Sequence, residues 1–495
     1  MMQSSILGNQ PRSRWLALAA IVGAQFMVVL DIAIVNVALP AIKGDLHFAQ
    51  QNLQWVISAY AILFGGVLLL GGRLADVFGR RRVFMAGLAV FSVSSLLCGI
   101  SWSEGSLIAF RALQGLGGAL FAPAGLSILM TTFAEGPERN RALGIWGAAS
   151  GSGGAAGVLL GGVLTSYLNW SWVFFINVPV GIAVIAAAPF VLAESRGQEH
   201  RHFDVAGAGS VTAGVMLLVY AMTRATQDGW ASVTTLSLLA ASAALLVAFV
   251  AIELRSPAPL LPMRMFRNRM LSAANATAAV IGAIAFSEFF LLTLYMQQVL
   301  GYSAIETGVG FAAVTFMIIV FSNVAQRLVT RLGVRRVLAA GLTLDAVALA
   351  AFTRLPVGGH YFWDLFPAFL ISGAGLAMSF VPVTIAGLAG VRRADAGIAS
   401  GLINTSRQVG GAVGLAAVTT IAASYASDGG GATGLARVAA VDGGLTQGFQ
   451  VGFTVLAAAA VVGAVIAAAL LRSPDEAVGV EPLPSPSTAA LEEAA

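Results

Sequence analysis

The sequence predicts an all-α polytopic membrane protein, built as two related six-helix bundles with two extra helices between them. Three observations predict this: the composition, a series of fourteen apolar stretches, and arginines that fall on alternate connections. Hydrophobic residues make up 58% of the 495 and charged residues 10%, with a mean hydropathy of +0.86. Soluble domains carry about 25% charged residues, so no globular core would bury this apolar excess. Lipid is the solvent for most of the chain, and each span needs about 20 apolar residues.

The stretches fall at 15–39, 53–72, 83–101, 106–133, 141–165, 170–193, 204–224, 231–254, 271–298, 304–326, 337–354, 361–387, 395–424 and 449–471. The first is too long for a signal-peptide core and lacks a small-residue cleavage pattern, so it is expected to stay as a helix. With an inside N-terminus, 21 of the 27 basic residues fall on inner segments, among them Arg73, Arg80, Arg81, Arg82, Arg327, Arg335 and Arg336. The outer segments hold four: Lys43, Arg224, Arg354 and Arg437. Arg111 and Arg407 lie inside helices. Basic residues favour the cytoplasmic side, so both termini are expected there. The tail from 473 to 495, rich in proline and acids, reads as disordered.

Internal repeats divide the chain. "RLADVFGRRRV" (73–83) matches "RLVTRLGVRRV" (327–337), "GLGGA" (115–119) matches "GAGLA" (373–377), and "GGAAG" (153–157) matches "GGAVG" (410–414). The offsets are nearly equal. The expected organisation is a cytoplasmic N-terminus at 1–14, a six-helix bundle at 15–193, two inserted helices at 204–254, a second six-helix bundle at 271–472 and the tail. Paired repeats with a site at their interface are how many secondary transporters achieve alternating access.

Charge inside a span is expensive and marks function by default. Asp31 is the single charge between Trp15 and Leu39. Arg111 lies about five residues into the fourth stretch, so both are expected in the outer half of the membrane as partners, with Gln114 one turn away in the same network. A static structural pair is the alternative. Asn36 and Pro40 read as packing and helix-ending features. Glu288, in the aromatic run "FSEFFLLTLY", reads as a second proton site or a cation attractor. Asp345 and Arg407 are a candidate structural pair. Tyr60, Trp146, Phe286, Phe289, Tyr295, Asp345 and Arg407 are substrate-cavity candidates by position.

Around the first inner turn, "GGRLADVFGRRRV" places Gly72 and Gly79 for tight packing, and Asp76 amid Arg73, Arg80 and Arg81. Here the chain resembles the major facilitator superfamily, whose signature loop acts as a cytoplasmic latch. The second-half copy has Thr330 opposite Asp76, so the two latches are not equivalent. "GIWGAASGSGGAAGVLLGGVL" (144–164), with Gly153, Gly157, Gly161 and Gly162, resembles the antiporter motif of exporters in that superfamily. It departs at Val158, where proline is usual, and Ser171 stands where an arginine is common. With "LDIAIVNVALP" (30–40), "GYSAIETG" (301–308) and "GLINTSRQVGGAVG" (401–414), the resemblance extends to the fourteen-helix drug:proton antiporters.

That resemblance implies a proton-coupled efflux transporter of hydrophobic or cationic drugs and antibiotics in a bacterial cytoplasmic membrane. The alternatives are a dedicated exporter of one endogenous compound, an importer of the same fold, and a non-transporting receptor. No phosphate-binding GxxxxGK[ST] loop exists, so an ion gradient is the energy source and no cofactor is expected. A membrane potential supplies about 2.3 kcal/mol per charge per 100 mV, and a pH unit about 1.4 kcal/mol. No nucleophile–base constellation or metal-ligand spacing suggests an enzyme. "EHRH" (199–202) reads as a polar loop rather than a metal site. The lone Cys98 reads as a small hydrophobe, and scattered basic residues do not suggest nucleic-acid binding. The expected partners are small hydrophobic or cationic molecules, protons and the lipid bilayer, with the chain a monomer.

Overall fold

In the computed structural model, residues 11–48, 55–134, 136–195, 204–256, 259–389, 391, 395–425 and 435–470 are described. These residues fold almost wholly as helices, the secondary structure that satisfies its backbone hydrogen bonds within one segment in lipid. The helices are α1 (Pro11–Asp45), α2 (Trp55–Phe78), α3 (Arg80–Gly99), α4 (Glu104–Thr132), α5 (Pro137–Tyr167), the short α6 (Trp172–Phe175), α7 (Asn177–Val191), α8 (Val205–Asp228) and α9 (Val233–Arg255). They continue with α10 (Arg269–Leu294), α11 (Ala304–Leu332), α12 (Val334–Phe352), α13 (Phe366–Leu388), α14 (Ala396–Tyr425) and α15 (Leu435–Leu470).

Eleven helical segments among the described residues are long and apolar enough to cross a membrane, or twelve if bent α5 counts as one span. The expectation of fourteen therefore lacks two. The helices outside the count are α12, with Arg335, Arg336 and Asp345 in 19 residues, and α14, with the polar run Asn404–Gln408 near its middle. α1 continues past residue 40 to Asp45, so the helix does not end where Pro40 was expected to end it. The "EHRH" stretch and the C-terminal tail lie outside the described residues.

Small residues set the packing, as expected where close backbone approach rather than water exclusion draws helices together. A Cβ on Gly71 would sit 2.1 Å from the Ala119 carbonyl oxygen, drawing α2 onto α4, and one on Gly117 would sit 2.5 Å from the Phe91 nitrogen, drawing α4 onto α3. α5 runs along α1, with Gly153 against Val29, Gly157 against the Leu30 carbonyl and Gly161 against the Ile34 carbonyl. Gly162 faces the other way, onto Ile305 of α11. The first-half helices and α10–α15 thus meet along α5 and α11, and again along α2 and α14. The inserted α8–α9 hairpin packs on that second seam, where Met216 fills the space beside Gly66 and the Trp230 indole donates to Thr420 at 2.8 Å.

At the arginine-rich end the two halves are in contact. A Cβ on Gly72 would lie 2.4 Å from the Gly397 carbonyl oxygen, Ser400 donates to the Pro123 carbonyl at 3.3 Å, and Gly147 abuts Val381.

Candidate functional site

The densest buried polar cluster is centred on Asp31 of α1. Its Oδ2 accepts from Arg111 Nη1 at 2.6 Å, and its Oδ1 accepts from Gln114 Nε2 at 2.8 Å and Asn177 Nδ2 at 2.9 Å. Asp31 is 0% exposed and Arg111 1%, so water screens neither charge. Arg111 also donates through Nε to the Val56 carbonyl at 2.9 Å and through Nη1 to Gln114 Oε1 at 2.6 Å. Its guanidinium lies over the Tyr60 ring, 4.4 Å from the centroid, with Phe174 on another side. Ser95 joins the cluster, receiving from Gln114 and Asn177 and donating to the Phe174 carbonyl at 2.9 Å. The side chains come from six elements: Asp31 of α1, Tyr60 of α2, Ser95 of α3, Arg111 and Gln114 of α4, Phe174 of α6 and Asn177 of α7. Gly115 permits it, because a Cβ there would sit 2.4 Å from the Tyr60 carbonyl oxygen.

This arrangement pairs the acid with a cation in an apolar interior and fills its lone pairs, the condition under which a buried ion pair is tolerated. Protonating Asp31 would convert an acceptor of three donors into a neutral acid and loosen the tie between α1 and α4. The glycines of α5 lie directly behind it: Gly157 abuts Leu30, the residue before Asp31. Asp31, Arg111 and Gln114 were expected together; Asn177 and Ser95 were not singled out. Asn177 is the polar residue inside "FFINVPVG" and gave the stronger available signal. Ser95 lies in a run of serines (92, 94, 95) with no spacing to distinguish it.

The inner turn brings together the expected acid and arginines and adds one acid that was not singled out. Within the expected cluster Asp76 pairs with Arg80, whose Nη2 and Nε donate at 2.8 and 3.1 Å. Glu194 beyond α7 is a further member: it accepts from the Arg81 backbone at 3.2 Å and lies 3.6 Å from Arg82 Nε. Gly79 has φ +110°, a backbone conformation that L side chains rarely adopt, and the Glu194 carboxylate lies against it. Gly333 has φ +80° at the repeat position, while Thr330 bonds only its own helix, to the Gln326 carbonyl.

Among the described residues the second half holds no counterpart of the Asp31–Arg111 pair. Glu288 of α10 accepts from Ser372 of α13, and Asp345 of α12 accepts from Ser379 at 2.9 Å. Each leaves a buried oxygen without a hydrogen-bond partner. Asp345 and Arg407 do not pair: the Arg407 side chain bonds Asn404 one turn back on its own helix and lies against the rings of Trp146 and Phe380.

The cavity candidates separate. Tyr60 belongs to the ion-pair cluster, and Tyr295 is committed to the Pro356 carbonyl at 2.6 Å in the turn beyond α12. Phe289 stacks on Phe311 with centroids 4.9 Å apart, and Phe286 packs on Gly411 of α14. Among the described residues no group of three or more His, Cys, Asp or Glu could hold a metal.

The profile of the Major Facilitator Superfamily matches residues 21–415. The chain belongs to this superfamily. A cephamycin export protein of Amycolatopsis lactamdurans is 43% identical over 410 residues, covering 82% of this chain and 84% of that protein. A puromycin resistance protein of Streptomyces alboniger is 37% identical over 477 residues, covering 95% and 93%. The crystal structure of the human organic anion transporter MFSD10 superposes with a TM-score of 0.64 at 14% identity, covering 92% of this chain and all of that one; this is a likeness of fold.

Proposed function

We propose that this superfamily member is an efflux transporter that exports antibiotics or other drugs and is driven by protons through Asp31. The observation that carries the coupling is the burial of Asp31 and Arg111 at 2.6 Å, with every other oxygen contact of the acid made by amides that also bond Ser95. The family membership and the export and resistance names of the relatives support the direction of transport. A proton arriving at Asp31 frees Arg111 and α4 from α1. Because α1 is fastened to α5 through three glycines and α5 to α11 of the second half, loosening α1 alters the seam between halves. Asp76, Gly72 and Gly397 hold the arginine-rich end closed here, and we assign that end to the cytoplasm, with both termini inside, fourteen spans and a bacterial cytoplasmic membrane. The protein acts as a monomeric transporter without enzymatic activity or cofactor.

A dedicated exporter of one compound is the second reading, and a specific observation favours it: two of its relatives are named for single antibiotics. A host lacking its own pumps, expressing this chain, separates the readings when growth is challenged with a panel of antibiotics. Protection against several unrelated compounds supports multidrug export, protection against one supports a dedicated exporter, and protection against none contradicts export.

A further inference from the structure

Arg407 is a buried cation without an acid. It lies on α14 at 8% exposure, and no salt bridge joins it to a carboxylate among the described residues. Its position is fixed from behind, because Gly282 of α10 comes so close to the Arg407 backbone that any side chain there would collide with it. Its guanidinium centre is 5.9 Å from the Trp146 ring and 5.5 Å from the Phe380 ring. Trp146 belongs to α5 of the first half, whereas Phe380 and Arg407 belong to the second, so the cluster bridges the junction. All three lie roughly 12–17 Å along their helices from the arginine-rich end at 1.5 Å per residue.

A guanidinium presents five N–H donors. Ring faces attract its charge but accept none of those bonds, and Asn404 is the hydrogen-bond acceptor the described residues supply. The Trp146 indole N–H, on a side chain 1% exposed, is buried without an acceptor as well. Two donor groups with one acceptor between them are an incomplete site, since buried polar groups are almost always satisfied. The missing element is an acceptor carrying negative charge, and a guanidinium fork fits a planar oxyanion in bidentate fashion.

We propose that Arg407 and the Trp146 N–H form an anion subsite that receives the carboxylate of an aromatic or otherwise apolar organic acid. In the conformation described here, with the arginine-rich ends together, the two aromatic rings cover the guanidinium. Parting α5 from α14 withdraws Trp146 and opens the fork to the anion; closing returns the rings and displaces it. The substrates of the export reading on which this rests are therefore not confined to cations and neutral drugs.

The test uses the full-length protein in detergent micelles with two probes that differ in charge alone, pyrenebutyrate and pyrenebutyramide, and the variants Arg407→Gln and Arg407→Lys. Wild type binds the acid about tenfold more tightly than the amide, as one charge-assisted pair contributes. Arg407→Gln brings the two affinities within about twofold while leaving amide binding in place, and Arg407→Lys retains part of the preference. An unchanged preference in Arg407→Gln overturns the proposal, as does equal binding, or no acid binding, in the wild type. Equal loss of both probes in Arg407→Gln assigns the arginine a packing role and overturns it too. Antibiotic protection in the expressing host is read in parallel. Protection without acid preference sinks the anion subsite alone, whereas absence of protection sinks the export reading.

Discussion

Removing one member of the Asp31–Arg111 pair is far more damaging than removing both. Arg111→Gln leaves Asp31 with Gln114 and Asn177 as donors but no cation, at a position with no exposure to water. Breaking a buried pair in this way costs about 3–5 kcal/mol. Asp31→Asn costs a similar amount by stranding Arg111, whose remaining acceptors are the Val56 carbonyl and Gln114. The double variant leaves neutral amides among neutral partners and is expected to be less destabilised than either single variant. The cycle should therefore return a coupling of about 2 kcal/mol or more. The assay is equilibrium unfolding in detergent micelles, followed by tryptophan fluorescence. Single-variant effects that add to the double within about 0.5 kcal/mol would refute the reasoning.

Three further outcomes follow from named contacts. Asn177→Ala removes the second amide on Asp31 Oδ1 and lowers stability by about 1–3 kcal/mol, read from equilibrium unfolding in detergent micelles. Gly72→Ala places a Cβ 2.4 Å from the Gly397 carbonyl oxygen, so it forces α2 from α14 and increases labelling of a cysteine introduced at Ser400 by a membrane-impermeant maleimide applied from the arginine-rich side. Glu253 at the end of α9 accepts from the Leu260 and Leu261 amides at 3.1 and 3.0 Å; Glu253→Ala strands both donors and speeds proteolysis between α9 and α10 at unchanged transport stoichiometry.

Much of this architecture is legible because lipid imposes simple rules. Apolar runs mark the helices, which fall on the expected stretches. Intramembrane charge marked Asp31 and Arg111, since few positions in the first half carry charge at all. A count by apolar length stops at eleven or twelve because α12 carries Arg335, Arg336 and Asp345 and α14 carries the polar run with Asn404 and Arg407. Asn177 and Ser95 escaped because a neutral polar residue costs little in a spanning helix and so carries little signal alone; only the fold brings them onto one carboxylate. The expected Asp345–Arg407 pair failed because α12 turns its acid towards Ser379 of α13, away from α14.

The central claim is that Asp31 carries the coupling proton. Its most direct test is uptake into inverted membrane vesicles of a fluorescent substrate chosen by the growth panel, with an imposed pH gradient, for wild type and Asp31→Asn, each with and without a protonophore. Wild type should concentrate the substrate and lose that ability with the protonophore; Asp31→Asn should equilibrate substrate without concentrating it and be indifferent to the protonophore. Gradient-driven accumulation by Asp31→Asn at the wild-type rate would contradict the account.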